Sequence, residues 1–321
     1  MRKRARTLHR AATVGVVGVV AVCAVELRAA QVTGFDSTTF EPFSFIHASD
    51  SQIGFSGSIA DDRDRFILQG QQASQWGVPF VLLAGDLVDD YTVAAQVSAF
   101  DQGLATYQVP TFLVPGNHDI DTKSARTIYQ QRYGADYYKF VYNNTLFVGL
   151  NSELWKRPSG YYFDADAKQF SWLRAKIGGG AAAAYDHIFV WMHHPPFVAT
   201  EDEPETPQNL PLGRRAALMA LFREANITAL LTGHLHANHM VTPDDNAFPI
   251  IVAPGTSAIA NNDPFGYHVF SVTAGGYSQQ FHNLSDPVPV PVPGGVWMGG
   301  FLLAVAIIAG AIRTSFSRAS A

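Results

Sequence analysis

The sequence predicts an α/β fold, and two observations predict it. Short apolar runs rich in β-branched and aromatic residues alternate with longer helical patterns, and polar residues gather just after the runs. The runs that read as strands are Phe43–Ala48, Phe80–Leu83, Thr111–Val114, Leu146–Leu150, His187–Met192, Ala229–Leu231, Ile250–Val252 and His268–Val272. Helical stretches lie between them at Arg63–Gln75, Tyr91–Gln102, Lys123–Tyr133, Ala165–Ile177 and Gly213–Asn226, the last with Leu218, Leu221 and Phe222 on one face. No repeat and no internal linker breaks the pattern, so one domain over residues 31–286 is expected.

Ligands of α/β folds bind at the carboxyl ends of the strands. The residues there are Ser49-Asp50-Ser51-Gln52, Gly85-Asp86, Gly116-Asn117-His118-Asp119, His193-His194-Pro195-Pro196 and Gly233-His234-Leu235-His236. The chain's one cysteine, Cys23, falls in the N-terminal leader, so the body has no disulfide and no thiolate ligand. Any metal is left to Asp, Asn, Gln and His. Residues 1–30 hold six of the 22 Lys and Arg and one of the 27 Asp and Glu, which leaves a formal charge of −10 on residues 31–321. Such a body repels polyanions and shows no basic stripe, which excludes a nucleic-acid groove.

Both ends depart from globular patterning. Arg2, Lys3, Arg4, Arg6 and Arg10 precede an apolar run from Ala11 to Val25, as in a secretory signal peptide over residues 1–30, with an uncleaved anchor as the alternative. Residues 287–295 form a Pro/Val-rich stalk that cannot be helical. Residues 296–312 carry no charge and read as a transmembrane or sorting helix, and 313–321 as a basic cytoplasmic tail. The expected location is therefore exported, periplasmic or cell-surface, with the body held to the membrane by its C-terminus. The arrangement Val290-Pro291-Val292-Pro293-Gly294-Gly295-Val296-Trp297 resembles a VPxPA-type relative of the PEP-CTERM sorting signals, which implies processing by an exosortase.

Hydrolysis of a phosphate ester requires charge neutralisation at the phosphoryl oxygens, hydroxide near neutral pH and help for the departing alkoxide. Two divalent cations bridged by a carboxylate supply all three, and Asp86, behind Gly85, is the natural bridge. The ordered set Asp-x-(His/Gln), Gly-Asp, Gly-Asn-His-Asp, His-x-Pro and Gly-His-x-His resembles the calcineurin-like metallophosphoesterases from Phe43 to about Val272. That resemblance implies a four-layer α/β/β/α sandwich of two mixed β-sheets flanked by helices, in one catalytic domain. It implies a binuclear phosphoesterase for phosphomonoesters or phosphoproteins, using two divalent ions (Mn, Fe or Zn) and attack by a metal-bound hydroxide. By the same resemblance Asp50, Gln52, Asp86 and His236 hold one metal, and Asp86, Asn117, His193 and His234 the other. His118 binds the scissile phosphate and assists the leaving oxygen. His193 is preferred to His194 because Pro195 completes His-x-Pro, which leaves His194 a structural or outer role.

Gln52 stands where most of the superfamily has histidine, and its amide oxygen is a weaker ligand than imidazole. The calcineurin-like phosphoesterase-domain-containing protein phosphatases share Gln at this place. The resemblance to them extends to Pro115–Ile120, Leu150-Asn151-Ser152 and Asn238. Two other functions stay open: a phosphodiesterase for cyclic nucleotides or glycerophosphodiesters, and a surface binding protein that has lost catalysis. Several further residues read more simply as structure. Asp89 and Asp90 precede a helix and fit N-caps, the alternative being a place beside the site. His47 fits a satisfied core histidine, His239 either surface or substrate contact, and Glu201–Glu205 a solvated loop rather than a cleft rim. Tyr161, Tyr162 and Trp172 fit core packing as well as a cap over the site.

Overall fold

Alternate side chains of each central strand enter different cores, which is why those strands read as continuous apolar runs. The computed structural model describes residues 34–157, 163–257, 259 and 263–289. Its first sheet contains β1 (Phe43–Ala48), β2 (Val81–Ala84), β3 (Thr111–Val114), β10 (Gly266–Thr273) and β11 (Gly276–Asn283), in the order β11-β10-β1-β2-β3. The second contains β4 (Tyr138–Tyr142), β5 (Thr145–Gly149), β6 (His187–Trp191), β7 (Ala229–Thr232), β8 (His239–Val241) and β9 (Ile250–Val252), in the order β4-β5-β6-β7-β9-β8. Both are mixed: β1, β2 and β3 run parallel and β10 and β11 antiparallel, while β5, β6, β7 and β9 run parallel between the antiparallel edges β4 and β8.

On β1, Ile46 and Ala48 face the helices, while Phe45 joins the layer between the sheets. Leu83 and Leu82 divide in the same way on β2, and Val190 and Phe189 on β6. The helices α1 (Ile59–Trp76), α2 (Ala94–Leu104) and α3 (Lys123–Tyr133) cover the first sheet through Phe66, Phe100 and Tyr129. A short α4 (Glu153–Lys156) follows β5, and α5 (Phe163–Ile177) and α6 (Leu212–Ala225) cover the second sheet through Leu173, Leu218 and Phe222. The result is the expected α/β/β/α sandwich. Between the sheets the filling is aromatic: Phe45 stacks on Phe270 at 4.8 Å and Phe140 on Phe147 at 4.9 Å. Pairs of this kind add about 0.5–1.5 kcal/mol beyond their burial. They make a stiff platform for the loops at the strand ends.

The differences from expectation have local causes. Helix α2 starts at Ala94 rather than Tyr91, because the Asp90 carboxylate accepts from both the amide (2.8 Å) and the hydroxyl (2.6 Å) of Thr92 and closes a turn there. Strands β4, β8 and β11 were not expected. They are edge strands, and β11 (Gly-Tyr-Ser-Gln-Gln-Phe-His-Asn) owes its form to pairing with β10 along its whole length.

The transmembrane expectation is corrected: among the described residues no helix is long and apolar enough to cross a membrane. The longest of them, α1, carries Asp61, Asp62, Arg63, Asp64 and Arg65 in its first half. The leader (1–30), the stalk beyond residue 289, the segment 296–312, the tail 313–321 and Tyr161 and Tyr162 lie outside the described residues. Trp172 packs against the α5–α6 core.

Candidate active site

Each strand that runs into the site ends in a tight turn, and the turns carry the polar residues. Gly85 has φ +87°, and a side chain there would come within 2.7 Å of the Gly116 amide and 2.8 Å of His193 Nδ1. The glycine thus lets the β2 turn lie directly on its two neighbours. Asp50, Gln52, Asp86, His234 and His236 all have positive φ. Only glycine adopts that region without strain, and such strain concentrates at functional sites. Surrounding hydrogen bonds hold it in place: Gln52 N donates to Asp86 O at 2.8 Å, Asp50 N to Gly85 O at 3.0 Å and His234 N to Asp50 Oδ2 at 3.0 Å.

Four donors meet at His193 Nε2. It lies 3.2 Å from Asp86 Oδ2, 3.2 Å from Asn117 Oδ1 and 3.1 Å from His234 Nδ1. His193 Nδ1 faces the Ala84 carbonyl at 2.8 Å, which turns Nε2 toward the other three. Next to this group Asp50 Oδ1 stands 3.4 Å from His236 Nε2 and 4.0 Å from His193 Nδ1. Gln52 is fully buried on the same turn, and neither atom of its amide has a hydrogen-bond partner. Asp50 Oδ1 likewise lacks one. Buried donors of this kind are costly unless something binds them. Asp50, Asp86, Asn117, His193, His234 and His236 are therefore brought together, with Gln52 on the Asp50 turn, and Asp50, Asp86 and His193 each offer an atom within 4.8 Å of the others. This oxygen and nitrogen set fits two divalent cations.

The protonation pattern agrees. Burial would raise the Asp86 pKa, but His193, and after it His118, hold it well below the usual carboxylate range. Burial would lower His193, yet the Asp86 carboxylate and then Asp50 raise it to about 10, so a proton occupies the centre of the donor set when no cation does. Burial, then His193, lower His234 to about 4, leaving it neutral with a lone pair to give.

His194 belongs to the same cluster, its ring nitrogen within 4.8 Å of those of His193 and His234. Its Nδ1 is paired with Ser152 Oγ at 2.9 Å and its ring lies 4.3 Å from that of His234, so it backs the site as well as bordering it. His118 Nδ1 donates to the Asp89 carbonyl at 2.7 Å and lies 3.4 Å from the Asp89 carboxylate. Asp89 is thus no helix cap but the residue that orients His118, whereas Asp90 caps the turn before α2. The spacing Gly-Asp-x-x-Asp was the signal for it. Asp119 closes the Gly-Asn-His-Asp motif, in which the sequence assigns it no role: its buried carboxylate accepts from Gly116 N at 2.8 Å and Leu87 N at 2.9 Å, clamping the Asp86 and Asn117 turns together. Burial, then Asp86, raise its pKa to about 7.

The acidic loop is built rather than merely solvated. Glu203 accepts from the amides of Val198, Ala199 and Thr200, and buried Arg215 donates to the carbonyls of Glu201 and Glu203. The same loop brings the Pro207 carbonyl within 3.1 Å of His234 Nε2. His239 turns to the Val198 carbonyl at 2.9 Å. His47 is a core histidine, but neither ring nitrogen has a hydrogen bond, and burial, then His268, keep it neutral.

Known proteins resemble this chain in sequence and in fold. A zebrafish serine/threonine-protein phosphatase CPPED1 is 27% identical over 268 residues, covering 76% of this chain and 86% of the relative, and the human CPPED1 is 29% identical over 274 residues, covering 76% and 85%. A 3',5'-cyclic adenosine monophosphate phosphodiesterase, CpdA, of Escherichia coli K12 is 24% identical over 190 residues, covering 59% of this chain and 65% of the relative. A dimetal phosphatase structure from Danio rerio shares the fold at a TM-score of 0.62 with 13% identity, covering 76% of this chain and 97% of that one. A yellow lupin purple acid phosphatase does so at 0.57 with 13% identity, covering 78% and 52%. The family model described as calcineurin-like phosphoesterase matches residues 43–238. That stretch opens with β1 and closes just past the last histidine pair, so it takes in every turn that contributes a donor, and the chain belongs to the calcineurin-like phosphoesterase family.

Proposed function

We propose that this chain is a phosphomonoesterase acting on phosphoproteins, of the Asp-x-Gln kind. The observation that carries the reading is the convergence of Asp86, Asn117, His193 and His234 beside Asp50, Gln52 and His236. Asp50, Gln52, Asp86 and His236 would hold one cation and Asp86, Asn117, His193 and His234 the other. Two bound divalent cations supply charge neutralisation at the phosphate and water activation near neutral pH. The chain's own residues do the rest. Asp86 lies between both donor groups, and the Asp119 clamp fixes its turn. His118, its ring oriented by the Nδ1–H bond to the Asp89 carbonyl, would bind the phosphate and, as the imidazolium, give its Nε2 proton to the leaving oxygen, returning to the neutral Nδ1–H form. The preference for phosphoprotein is supported by the two CPPED1 relatives, each a serine/threonine-protein phosphatase that the alignment covers over at least 85% of its length.

A second reading, diester hydrolysis, is supported by the likeness to the cyclic-AMP phosphodiesterase. Rates on a phosphoserine peptide, p-nitrophenyl phosphate and its bis-ester, with Mn, Fe and Zn in turn, separate the two. Faster turnover of the bis-ester than of either monoester overturns the first reading, and no turnover with any metal overturns both in favour of a binding protein.

The proposed setting is outside the cytoplasm. The basic start at residues 2–10 ahead of the apolar run 11–25 supports export, and the Pro/Val tail supports a sorting signal of exosortase type. Protease added outside the inner membrane should reach the body; a body protected in the cytoplasm refutes export.

A further inference from the structure

Phe55 is 49% exposed, more than any other Phe, Tyr or Trp whose side chain is described. It stands edge-on to His236, with ring centroids 5.5 Å apart at 84°. A phenyl ring half-exposed beside an expected metal ligand is an apolar surface that the described residues leave partly uncovered.

Its position is held by a device buried beneath it. The turn starts at Gln52, whose carbonyl accepts from Phe55 N at 3.0 Å. Asp62, fully buried in the first turn of α1, accepts from Gly54 N at 2.8 Å and Ser56 N at 3.3 Å, the amides on either side of Phe55. The other Asp62 oxygen pairs with Arg65. Arg65 Nε donates in turn to the Thr256 carbonyl at 2.5 Å, and Thr256 N donates to Asp50 O at 3.1 Å. One network therefore ties the metal-ligand turn to the turn that carries the exposed ring. A buried carboxylate is costly to keep, and this one acts on two amides whose common effect is to fix Phe55 in front of His236.

We propose that Phe55 is the apolar wall of the substrate cleft, and that the enzyme favours phosphate esters whose alcohol portion carries an aromatic or similarly apolar group within reach of that ring. The proposal rests on the phosphoesterase reading and names the substrate class of that site. The ring adds contact to one part of the ester and takes no part in the proton transfers, so its effect belongs to KM rather than kcat.

The test compares 2-phenylethyl phosphate with ethyl phosphate, whose alcohols are of similar basicity, on the Mn-loaded enzyme. Wild type should prefer the phenylethyl ester in kcat/KM by about tenfold, the scale of one aromatic contact with its burial. Phe55→Ala should reduce that preference to about twofold or less through KM, while Phe55→Tyr keeps it. Asp62→Asn, which leaves the ring but loosens its turn, should lose part of it. An unchanged preference in Phe55→Ala overturns the proposal. So does an equal fall for both esters, which would make Phe55 a mere buttress of His236. Binding of 3-phenylpropylphosphonate and propylphosphonate, read by calorimetry, gives the same comparison without turnover. A Phe55-dependent gap there with no hydrolysis of either ester would sink the phosphoesterase reading and leave the wall standing; equal binding of the two phosphonates by wild type would sink the wall.

Discussion

Replacing Gly116 by alanine tests whether the closeness of the strand-end turns is what places Asp86. Gly116 does not need a positive φ, so any effect comes from the added methyl. That methyl would stand 2.5 Å from Asp86 N and 2.8 Å from Asp86 Cγ, closer still to Oδ1, where ordinary contact begins at 3.4 Å. Either the Asp86 turn or the Gly116 turn must then retreat by about 0.9 Å to clear Asp86 N, and the Asp86 carboxylate must move further still, several times the ~0.2 Å tolerance of metal–ligand distances. The Gly116 turn is not free to yield, because its amide is bound to Asp119 at 2.8 Å. Overpacking of this kind costs about 1–3 kcal/mol of stability, and a misplacement near 1 Å at a reacting centre about a hundredfold in rate. The expected result is therefore a folded Gly116→Ala protein with weakened metal binding and kcat/KM on p-nitrophenyl phosphate down about a hundredfold. Metal content after desalting, rates at saturating Mn, and urea unfolding after EDTA treatment read the three quantities separately. Gly213→Ala is the control: it lies in the first turn of α6 with nothing within 4 Å of the added methyl, and it should keep full activity. A Gly116→Ala enzyme with wild-type metal content and kcat/KM within about threefold of wild type would refute the reasoning.

Other substitutions and conditions separate the remaining roles. His118→Ala should keep both metals and lose about a hundredfold or more on an ester with a poor leaving group; unchanged turnover removes His118 from the mechanism. Gln52→His should tighten one site for Zn and Fe relative to Mn, and Gln52→Ala should weaken it, by roughly ten- to a hundredfold. Identical affinities and metal ranking in all three proteins would show that the buried amide is no ligand. In metal-free protein His193 has a pKa of about 10 against an ordinary 6.5, so its contribution to stability is fully present below 6.5 and lost as pH rises through about 10. Metal binding must expel that proton, so affinity should climb by up to about tenfold per pH unit over this window, with proton release measurable by calorimetry in buffers of different ionisation enthalpy. A pH-independent affinity contradicts the placement of His193 between the two carboxylates.

Much of the site is legible along the chain because ligand chemistry belongs to residue type. A carboxylate or imidazole directly after an apolar strand can be read locally, and so can the fold class, since β2 and β6 are buried on both faces and β1 over its last four residues, and their sequences are mostly apolar. The edge strands β8 and β11 could not be read, because half of a strand's hydrogen bonding belongs to its neighbour and their own residues are mixed. The two adjacent histidines differ for a similar reason. His193 Nε2 aims at Asp86 because the Ala84 carbonyl holds Nδ1, whereas His194 has its Nδ1 held by Ser152, and neither partner is near in sequence.

By itself the sequence determined the donor set, its order and its place at the ends of strands. Tertiary structure alone decided what holds those donors: the Asp119 clamp across two turns, the Asp89 carbonyl behind His118, the strained backbone at Asp50, Gln52, Asp86, His234 and His236, and the Asp62 pin under Phe55. A ligand is recognised by the chemistry of its own atoms. A support is defined by which distant atom it meets, and that contact exists only once the two sheets have packed.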